Sequence, residues 1–511
     1  MQGIALYTAG LSLLTPKTLL FLLLGLLVGI TIGALPGLNV NMAVSIMLPL
    51  TYGMEPSAGI LMLLGVYCGG NYGGSIAATL VNIPGTPSAV MTTLDAYPMA
   101  KQGKAGLAIG LATMASALGG LFSCVVLMTI SPLIAEMALK FTSLEMSLIC
   151  IFGISIMALV SGSSMVKGIM AGVLGLLVSC IGFDPITSVP RFTFSSIHLF
   201  SGINFTAAMI GLFGFTEIII SAEGGVRRAV KMEIAQVKNV FECFRYLKRS
   251  IVNLISSSVI GTVIGAIPGA GGTIASIVSY GVEKKISREP EKMGQGSVDG
   301  IVAAEAANNA CCGGAMTTLL SLGIPGDSVT AILLGAFIIH GMLPGPTLFT
   351  DNPQTVSVIF LGMFIINLLL LGIGLVGAPQ FAKFLKIPKK ILHPCILLLC
   401  VMGTYGVQGS LFDVRMMFVF GLLGYTFVKL GVPRAPMVLG LVLGRILEQN
   451  LRRTMTLARG DLWGLFMKRT AETPIALIIL VITVGILLAP SVMALVKRQR
   501  EKKAAGSGET P

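Results

Sequence analysis

An apolar pattern broken by glycine and proline occurs twice in this chain, about half a chain apart. Both copies open with a box of the form Gly-x-x-Ile-Gly-Ala-x-Pro-Gly, at residues 29–37 and 261–269. Both also carry a later Ile-Pro-Gly box, at residues 83–85 and 324–326. A helix that breaks inside a membrane frees backbone groups that lipid cannot satisfy, so such breaks persist only within protein or beside a wet cavity. Two halves with broken apolar segments at corresponding places indicate a transporter with its binding site at the breaks.

The composition agrees with a membrane protein. Of the 511 residues, 54% are hydrophobic and only 11% are charged, against about 25% charged in ordinary globular chains. With ~20 residues needed for each span, we count about 11–14 apolar segments. The sequence therefore predicts an all-α polytopic membrane protein with two pseudo-repeats, in which Pro-Gly boxes break helices or form re-entrant hairpins. The number of crossings, which decides whether the repeats are parallel or inverted, stays open.

The basic residues divide the chain. A net charge of +13 would also suit a nucleic-acid-binding protein, but the Lys and Arg residues lie in short links between apolar segments, as the positive-inside rule expects. We predict a first transmembrane repeat over 1–225, a basic cytoplasmic link over 226–250, a second repeat with C-terminal spans over 251–496, and a disordered tail over 497–511. No nucleic-acid partner is expected.

Motifs of enzyme chemistry are missing from the sequence. There is no Gly-x-Ser-x-Gly elbow, no phosphate-binding loop, no His-Glu-x-x-His box and no Cys-x-x-Cys pair. We therefore expect no enzyme activity, no catalytic residue, no metal site and no cofactor. An intramembrane hydrolase that uses His340 and Asp327 remains the weakest of the alternatives.

Polar residues inside the two copies are the candidate site. Amides, hydroxyls and freed carbonyl groups suit a carboxylated solute together with a small hard cation, because half-helix ends attract both. The alternative is that these residues are helix caps and interhelical hydrogen bonds. The candidates for substrate or cation binding in the first copy are Asn39, Asn41, Asn71, Asn82, Pro84, Gly85, Thr86 and Ser88. Those in the second copy are Glu305, Asn308, Asn309, Thr318, Pro325, Gly326, Asp327 and Ser328.

Two of these candidates are acidic. An ionisable side chain at membrane depth is costly, and it is therefore a functional candidate. We expect Glu305, which precedes two asparagines, to be functional, and Asp327 to lie on the cation side of the site. The alternative for Asp327 is that it caps a helix that starts near Ser328.

Several longer stretches resemble a known family. In the first half they are residues 33–39, 67–77, 82–87 and 94–103, the last of which reads Leu-Asp-Ala-Tyr-Pro-Met-Ala-Lys-Gln-Gly. In the second half they are residues 304–310, 323–326, 340–346 and 447–453. In this order they resemble the large membrane subunit of the bacterial tripartite tricarboxylate transporters, and the resemblance covers nearly the whole chain.

This resemblance implies a multi-pass permease subunit of the bacterial inner membrane. It implies uptake of a di- or tricarboxylate, coupled to sodium ions or protons, by a secondary transporter. It also implies two partners, a small integral-membrane subunit and a periplasmic solute-binding protein. The competing interpretation is a stand-alone ion or solute exchanger or channel. We further expect the segments with the four Pro-Gly pairs to break at membrane depth, and the two Ile-Pro-Gly boxes to converge near the midplane.

Overall fold

A computed structural model of the chain describes residues 10–35, 38–160, 164–184, 186–223, 237, 239–384 and 389–485. The first predicted Pro-Gly break, at Pro36 and Gly37, lies outside these residues. Residues 226–236 and 238 of the predicted basic link also lie outside them, as does the whole predicted tail.

Helices make up most of the described chain. In chain order the α-helices and the two short strands are α1 Pro16–Ala34, α2 Val40–Met47, α3 Pro56–Val81, α4 Val90–Met99, α5 Ala105–Ala138, α6 Ser143–Val160, α7 Met165–Ser179, β1 Gly182–Phe183, β2 Pro190–Arg191, α8 Phe205–Met209, α9 Thr216–Glu223, α10 Cys243–Leu247, α11 Ile251–Ala266, α12 Gly271–Ile286, α13 Val298–Leu322, α14 Ser328–Ile339, α15 Leu348–Asp351, α16 Pro353–Phe384, α17 Lys389–Gln408, α18 Leu411–Leu430, α19 Arg434–Ala458 and α20 Leu462–Glu472. The 3-10 and π segments are Leu48–Thr51, Pro87–Ala89, Ala100–Lys104, Ile197–Leu199, Ile210–Phe215, Val240–Glu242, Lys248–Ser250 and Pro290–Lys292.

Many of these helices are apolar enough for a membrane. Within the described residues, 7 helical runs have the length and hydropathy to cross a bilayer, and a further group of apolar helices has 10–17 residues. The predicted all-α polytopic membrane fold is therefore confirmed, and the chain is a multi-pass membrane protein.

The chain folds into two compact units. The first contains the described residues up to Lys140 together with Ile203–Leu430, and the second contains Phe141–Gly202 together with the described residues from Gly431 onward. Both broken copies fall in the first unit. The predicted division at residues 225, 250 and 496 follows the order of the chain and stays a prediction.

Local signals set the ends of the central helices. Thr15 caps α1, accepting a hydrogen bond from the Thr18 N–H at 3.2 Å, and Pro16 at the first helical position needs no donor. α3 ends at Asn82, which is left-handed with φ 55°. α13 ends at Gly323, which has φ 73°. A left-handed residue is the common way to end a helix, so both Ile-Pro-Gly boxes follow real helix breaks.

Helices α3 and α13 form the interior of the first unit. α3 is buried from Ser57 to Leu80, and α13 is buried from Gly300 to Ser321. Both helices are rich in glycine and alanine, and small residues let helix backbones approach closely. α1 packs along α3 in the same way that α11 packs along α13.

The two copies repeat the same close contact. A Cβ atom at Gly85 would lie 2.0 Å from the Gly33 carbonyl oxygen, and one at Gly326 would lie 2.1 Å from the Gly265 carbonyl oxygen. In the second copy the Gly269 N–H also donates to the Gly326 carbonyl at 2.7 Å. The opening box and the Ile-Pro-Gly box of each copy therefore touch, and only glycine fits at the contact.

Three of the predicted breaks lie among the described residues. α3 ends before the box at 83–85, α13 ends before the box at 324–326, and α11 ends at Ala266, just before Pro268. Proline removes a helical N–H and clashes with the preceding turn, which explains these ends. Convergence of the two Ile-Pro-Gly boxes at the membrane midplane stays a prediction.

A cluster of charged side chains joins the strand pair to α19 in the second unit. Strands β1 and β2 pair antiparallel, with Gly182 opposite Arg191. Arg191 lies 2.6 Å from Glu448, and Arg452 lies 2.8 Å from Asp184. Backbone N–H groups of Thr187 and Ile186, aided by Arg452, hold the pKa of Asp184 well below its usual range. The hairpin is thus fixed by charge-assisted hydrogen bonds.

Candidate functional site

The segment that follows each Ile-Pro-Gly box contacts the helix that follows the opening box of the other copy. After the first box, the Ser88 carbonyl accepts a hydrogen bond from Ser276 Oγ of α12 at 3.0 Å. After the second box, Ser328 Oγ donates to Asn41 Oδ1 of α2 at 2.9 Å. Broken segments from the two copies are therefore interleaved, although they lie far apart in the sequence. We call residues 86–88 the first tip and residues 327–328 the second tip.

Asp327 at the second tip has protein donors on both carboxylate oxygens. Oδ1 accepts hydrogen bonds from Thr330 N and Thr330 Oγ1, each at 2.7 Å. Oδ2 accepts one from the Tyr67 hydroxyl of α3 at 2.6 Å. The cap that the sequence offered as an alternative is formed, and it is a complete capping box. A contact of Asp327 with a cation stays a prediction.

Asn308 and Asn309 are the unusual residues of this region. Their side chains are 0% and 1% exposed. Within the described residues, neither the amide oxygen nor the amide nitrogen of either side chain has a hydrogen-bond partner. Burying an unpaired polar group costs about 1–3 kcal/mol, and most buried polar groups are paired. Two adjacent unpaired amides therefore indicate a place for a ligand or for water.

The Asn308 amide and the first tip both approach Gly272 of α12. A Cβ atom added at Gly272 would lie 2.7 Å from Asn308 Oδ1 and 3.2 Å from Ser88 Cβ. Asn308 and Ser88 therefore lie beside the same glycine. At the first tip itself, Thr86 Oγ1 and Ser88 Oγ share a hydrogen bond of 3.0 Å.

Glu305 is fully buried, and its carboxylate is hydrogen-bonded. The Thr92 hydroxyl of α4 donates to Oε1, and the Ser116 hydroxyl of α5 donates to Oε2 at 2.8 Å. These bonds join α13 to the two helices that follow the first tip. The arrangement gives Glu305 a packing role, and the functional role expected from the sequence stays a prediction.

The remaining predicted residues mostly bond locally. Asn39 caps α2, accepting from Met42 N at 2.8 Å, and Thr318 Oγ1 donates to Ala315 O of its own helix at 3.2 Å. Asn82 ends α3, while Pro84 and Pro325 lie in the non-helical boxes. Asn71 Nδ2 donates to Cys312 Sγ at 3.1 Å.

The Asn71–Cys312 contact also relates the two copies. Both residues precede the proline of their own Ile-Pro-Gly box by 13 positions. Equivalent positions of α3 and α13 thus meet each other, as expected where two related halves face one another.

Tyr67 and Asp95 were not among the predicted site residues. Asp95 is fully buried, and its Oδ1 accepts backbone N–H bonds from Gly294, Gly296 and Ser297 at 2.7–2.9 Å. Its Oδ2 accepts a bond from the Tyr280 hydroxyl at 2.8 Å. Both residues occur in the quoted stretches 67–77 and 94–103. An acidic residue within an apolar stretch was the signal that could have identified Asp95.

Asp327 and His340, the two residues of the hydrolase alternative, lie at opposite ends of α14. Asp327 caps the start of α14, and His340 caps its end. Twelve helical residues separate them, which corresponds to about 18 Å along the axis. His340 instead lies 3.2 Å from Thr51 Oγ1. Among the residues that the structure describes, no three or more metal-ligating side chains form a group.

Comparison with known proteins agrees with the broken-repeat architecture. The sequence profile of the tripartite tricarboxylate transporter TctA family matches residues 19–439. An uncharacterized 52.8 kDa protein from the TAR-I ttuC′ 3′ region of Agrobacterium vitis is 36% identical over 448 residues, which are 88% of this chain and 89% of that protein. A second uncharacterized protein of Agrobacterium vitis, from the TAR-II ttuC′ 3′ region, is 41% identical over 201 residues, covering 39% of this chain and 83% of that protein. No solved structure matches significantly. The chain belongs to the tripartite tricarboxylate transporter TctA family, a family of transporters.

Proposed function

We propose that this chain is the membrane-spanning permease subunit of a tripartite secondary transporter in the bacterial inner membrane. It takes up a di- or tricarboxylate together with a coupling cation, either sodium or a proton. Family membership supports the transporter class. The interleaved breaks of the two copies support a solute site in the interior of the first unit.

The unpaired amides of Asn308 and Asn309 carry the proposal. An amide nitrogen supplies two donors, and an amide oxygen accepts two hydrogen bonds. The nitrogens can therefore bind a solute carboxylate, while the oxygens can bind a solute hydroxyl or a hard cation such as sodium. A ligand that supplies these bonds removes the penalty of the buried, unpaired groups.

Two partners belong to the proposal. A tripartite system combines the large membrane subunit with a small integral-membrane subunit and a periplasmic solute-binding protein. The binding protein captures dilute solute and delivers it to the permease. Uptake at micromolar solute therefore requires all three components.

The test is solute uptake by proteoliposomes that contain both membrane subunits, with the binding protein added. Sodium and proton gradients are imposed separately, so that the driving ion is identified. We expect Asn308→Leu and Asn309→Leu to lower uptake at least about tenfold, since each removes ligand hydrogen bonds worth about 1–3 kcal/mol. Their folded yield should be unchanged, because leucine replaces an unpaired amide with an apolar group of similar size.

A matched control lies on the same helix. Thr317 is buried, and among the described residues its hydroxyl bonds only to Gly313 O of α13, at 2.8 Å. Thr317→Val should therefore leave uptake unchanged. Wild-type uptake by both asparagine variants would refute the proposed site, and failure of the complete system to transport any di- or tricarboxylate would refute the function.

A further inference from the structure

We infer that Asp327 is a built-in anion, which occupies one of two equivalent anion positions and leaves the other to the solute. The site then binds one solute carboxylate fewer than it would if both positions were open. It therefore favours a dicarboxylate over a tricarboxylate. This inference rests on the proposed function, because it refines the solute of the same site.

The two tips occupy equivalent positions in the two copies. Thr86 and Asp327 each follow the glycine of their own Ile-Pro-Gly box directly. Tyr67 and Asn308 each precede the proline of their box by 17 positions, on α3 and α13. The close contacts of Gly85 and Gly326 described above also correspond, so the comparison rests on geometry as well as on sequence.

A helix residue of each copy lies close to the tip of the other copy. Tyr67 of the first copy bonds to Asp327 at the second tip. Asn308 of the second copy and Ser88 at the first tip both approach the same glycine, Gly272. At the second tip, the donors surround a carboxylate that belongs to the protein. At the first tip, the equivalent position holds neutral Thr86, which makes no side-chain cap, and the nearby Asn308 amide has no partner among the described residues.

The second tip thus shows how a carboxylate could be bound at the first tip. A carboxylate there accepts hydrogen bonds from a helix-start N–H, a hydroxyl and a side chain of the opposite copy. A solute carboxylate at the first tip would bind to Asn308 in the corresponding way. The neighbouring Asn309 amide, which also lacks a partner, offers donors to the solute's second carboxylate. A third carboxylate would have to lie towards Asp327, where like charges repel strongly in a buried site.

Glutarate and tricarballylate provide a matched pair of probes. They share one carbon backbone and differ only by the central carboxylate. Binding to the purified full chain in detergent is measured as the rise in unfolding temperature with ligand concentration, since a ligand that binds the folded state stabilises it. We expect the wild-type chain to bind glutarate more tightly than tricarballylate.

Two variants remove the charge at the second tip. Asp327→Thr introduces the residue that the first copy has at the equivalent position, and Asp327→Asn keeps an oxygen for the Thr330 cap. Both should lower the glutarate-over-tricarballylate preference at least about tenfold, because the repulsion on the third carboxylate is lost. The Asn variant keeps the test usable if the Thr variant unfolds.

The outcomes separate this inference from the proposed function. If glutarate stabilises the wild-type chain but not Asn308→Leu, and both Asp327 variants keep the wild-type preference, the inference is wrong and the site stands. If Asp327→Asn instead abolishes the sodium dependence of glutarate binding without changing the preference, Asp327 is a cation ligand and the inference is also wrong. If neither solute stabilises the wild-type chain, both the site and the inference are wrong.

Discussion

Replacing Asp95 with alanine should destabilise the first unit more than replacing any of its donors. The Asp95 carboxylate, in the middle of α4, joins the first copy to the loop that leads into α13 of the second. It accepts four hydrogen bonds, three from backbone N–H groups of residues 294–297 and one from the Tyr280 hydroxyl. The side chain is fully buried, whereas the three N–H bonds to it are only part-buried, so water can replace the lost bonds only in part.

The geometry sets the size of the effect. A hydrogen bond to a charged group contributes about 1.5–3 kcal/mol, and bonds that share one acceptor are not additive. Asp95→Ala loses all four bonds, and because their contributions do not add fully we expect a cost of about 3–5 kcal/mol, less than their sum. Asp95→Asn keeps an oxygen for the three N–H donors and should cost only about 1–2 kcal/mol. Tyr280→Phe removes a single donor and should cost about 1 kcal/mol.

The assay is denaturant unfolding of the purified chain in detergent, with the free energy of unfolding compared among the three variants. The order of destabilisation should be Asp95→Ala, then Asp95→Asn, then Tyr280→Phe. If Asp95→Ala loses no more free energy than Tyr280→Phe, the three backbone bonds contribute nothing, and the reasoning is refuted.

Two further predictions concern backbone contact and pH. Gly326→Ala should lower the free energy of unfolding by about 1–3 kcal/mol through overpacking, because its Cβ would lie 2.1 Å from the Gly265 carbonyl oxygen. Gly372→Ala is the control: its Cβ would meet no atom within 4 Å, so it should be neutral in the same unfolding assay. Asp184 has a folded-state pKa below its ordinary value, so its stabilising contribution is present above about pH 4 and is lost as the pH falls further. Unfolding temperatures measured from pH 7 to pH 3 should fall less steeply for Asp184→Asn than for the wild-type chain, and parallel curves would contradict the assignment.

The sequence alone determined the class of the protein and its internal plan. Apolar segments of membrane length, Pro-Gly boxes at corresponding places and basic links predicted a polytopic helical transporter, and the helices and the family agree. The breaks after Val81 and Leu322 were predictable because proline and glycine act on their own backbone, within a few residues. Asn308 and Asn309 could also be predicted as binding residues from the sequence, because polar residues stand out in apolar surroundings.

Only the tertiary structure decided which of the predicted residues have partners. The Tyr67 hydroxyl reaches Asp327 across 260 positions of the chain, and Asp95 binds a loop some 200 residues away. Such pairs depend on which helices cross and at which turn, and sequence periodicity does not contain that information. For the same reason the sequence could not separate Asp327, which the fold supplies with donors, from Asn308, which the fold buries without any among the described residues. Residue type fixes the hydrogen bonds that a side chain can make, whereas packing determines whether the protein or a ligand makes them.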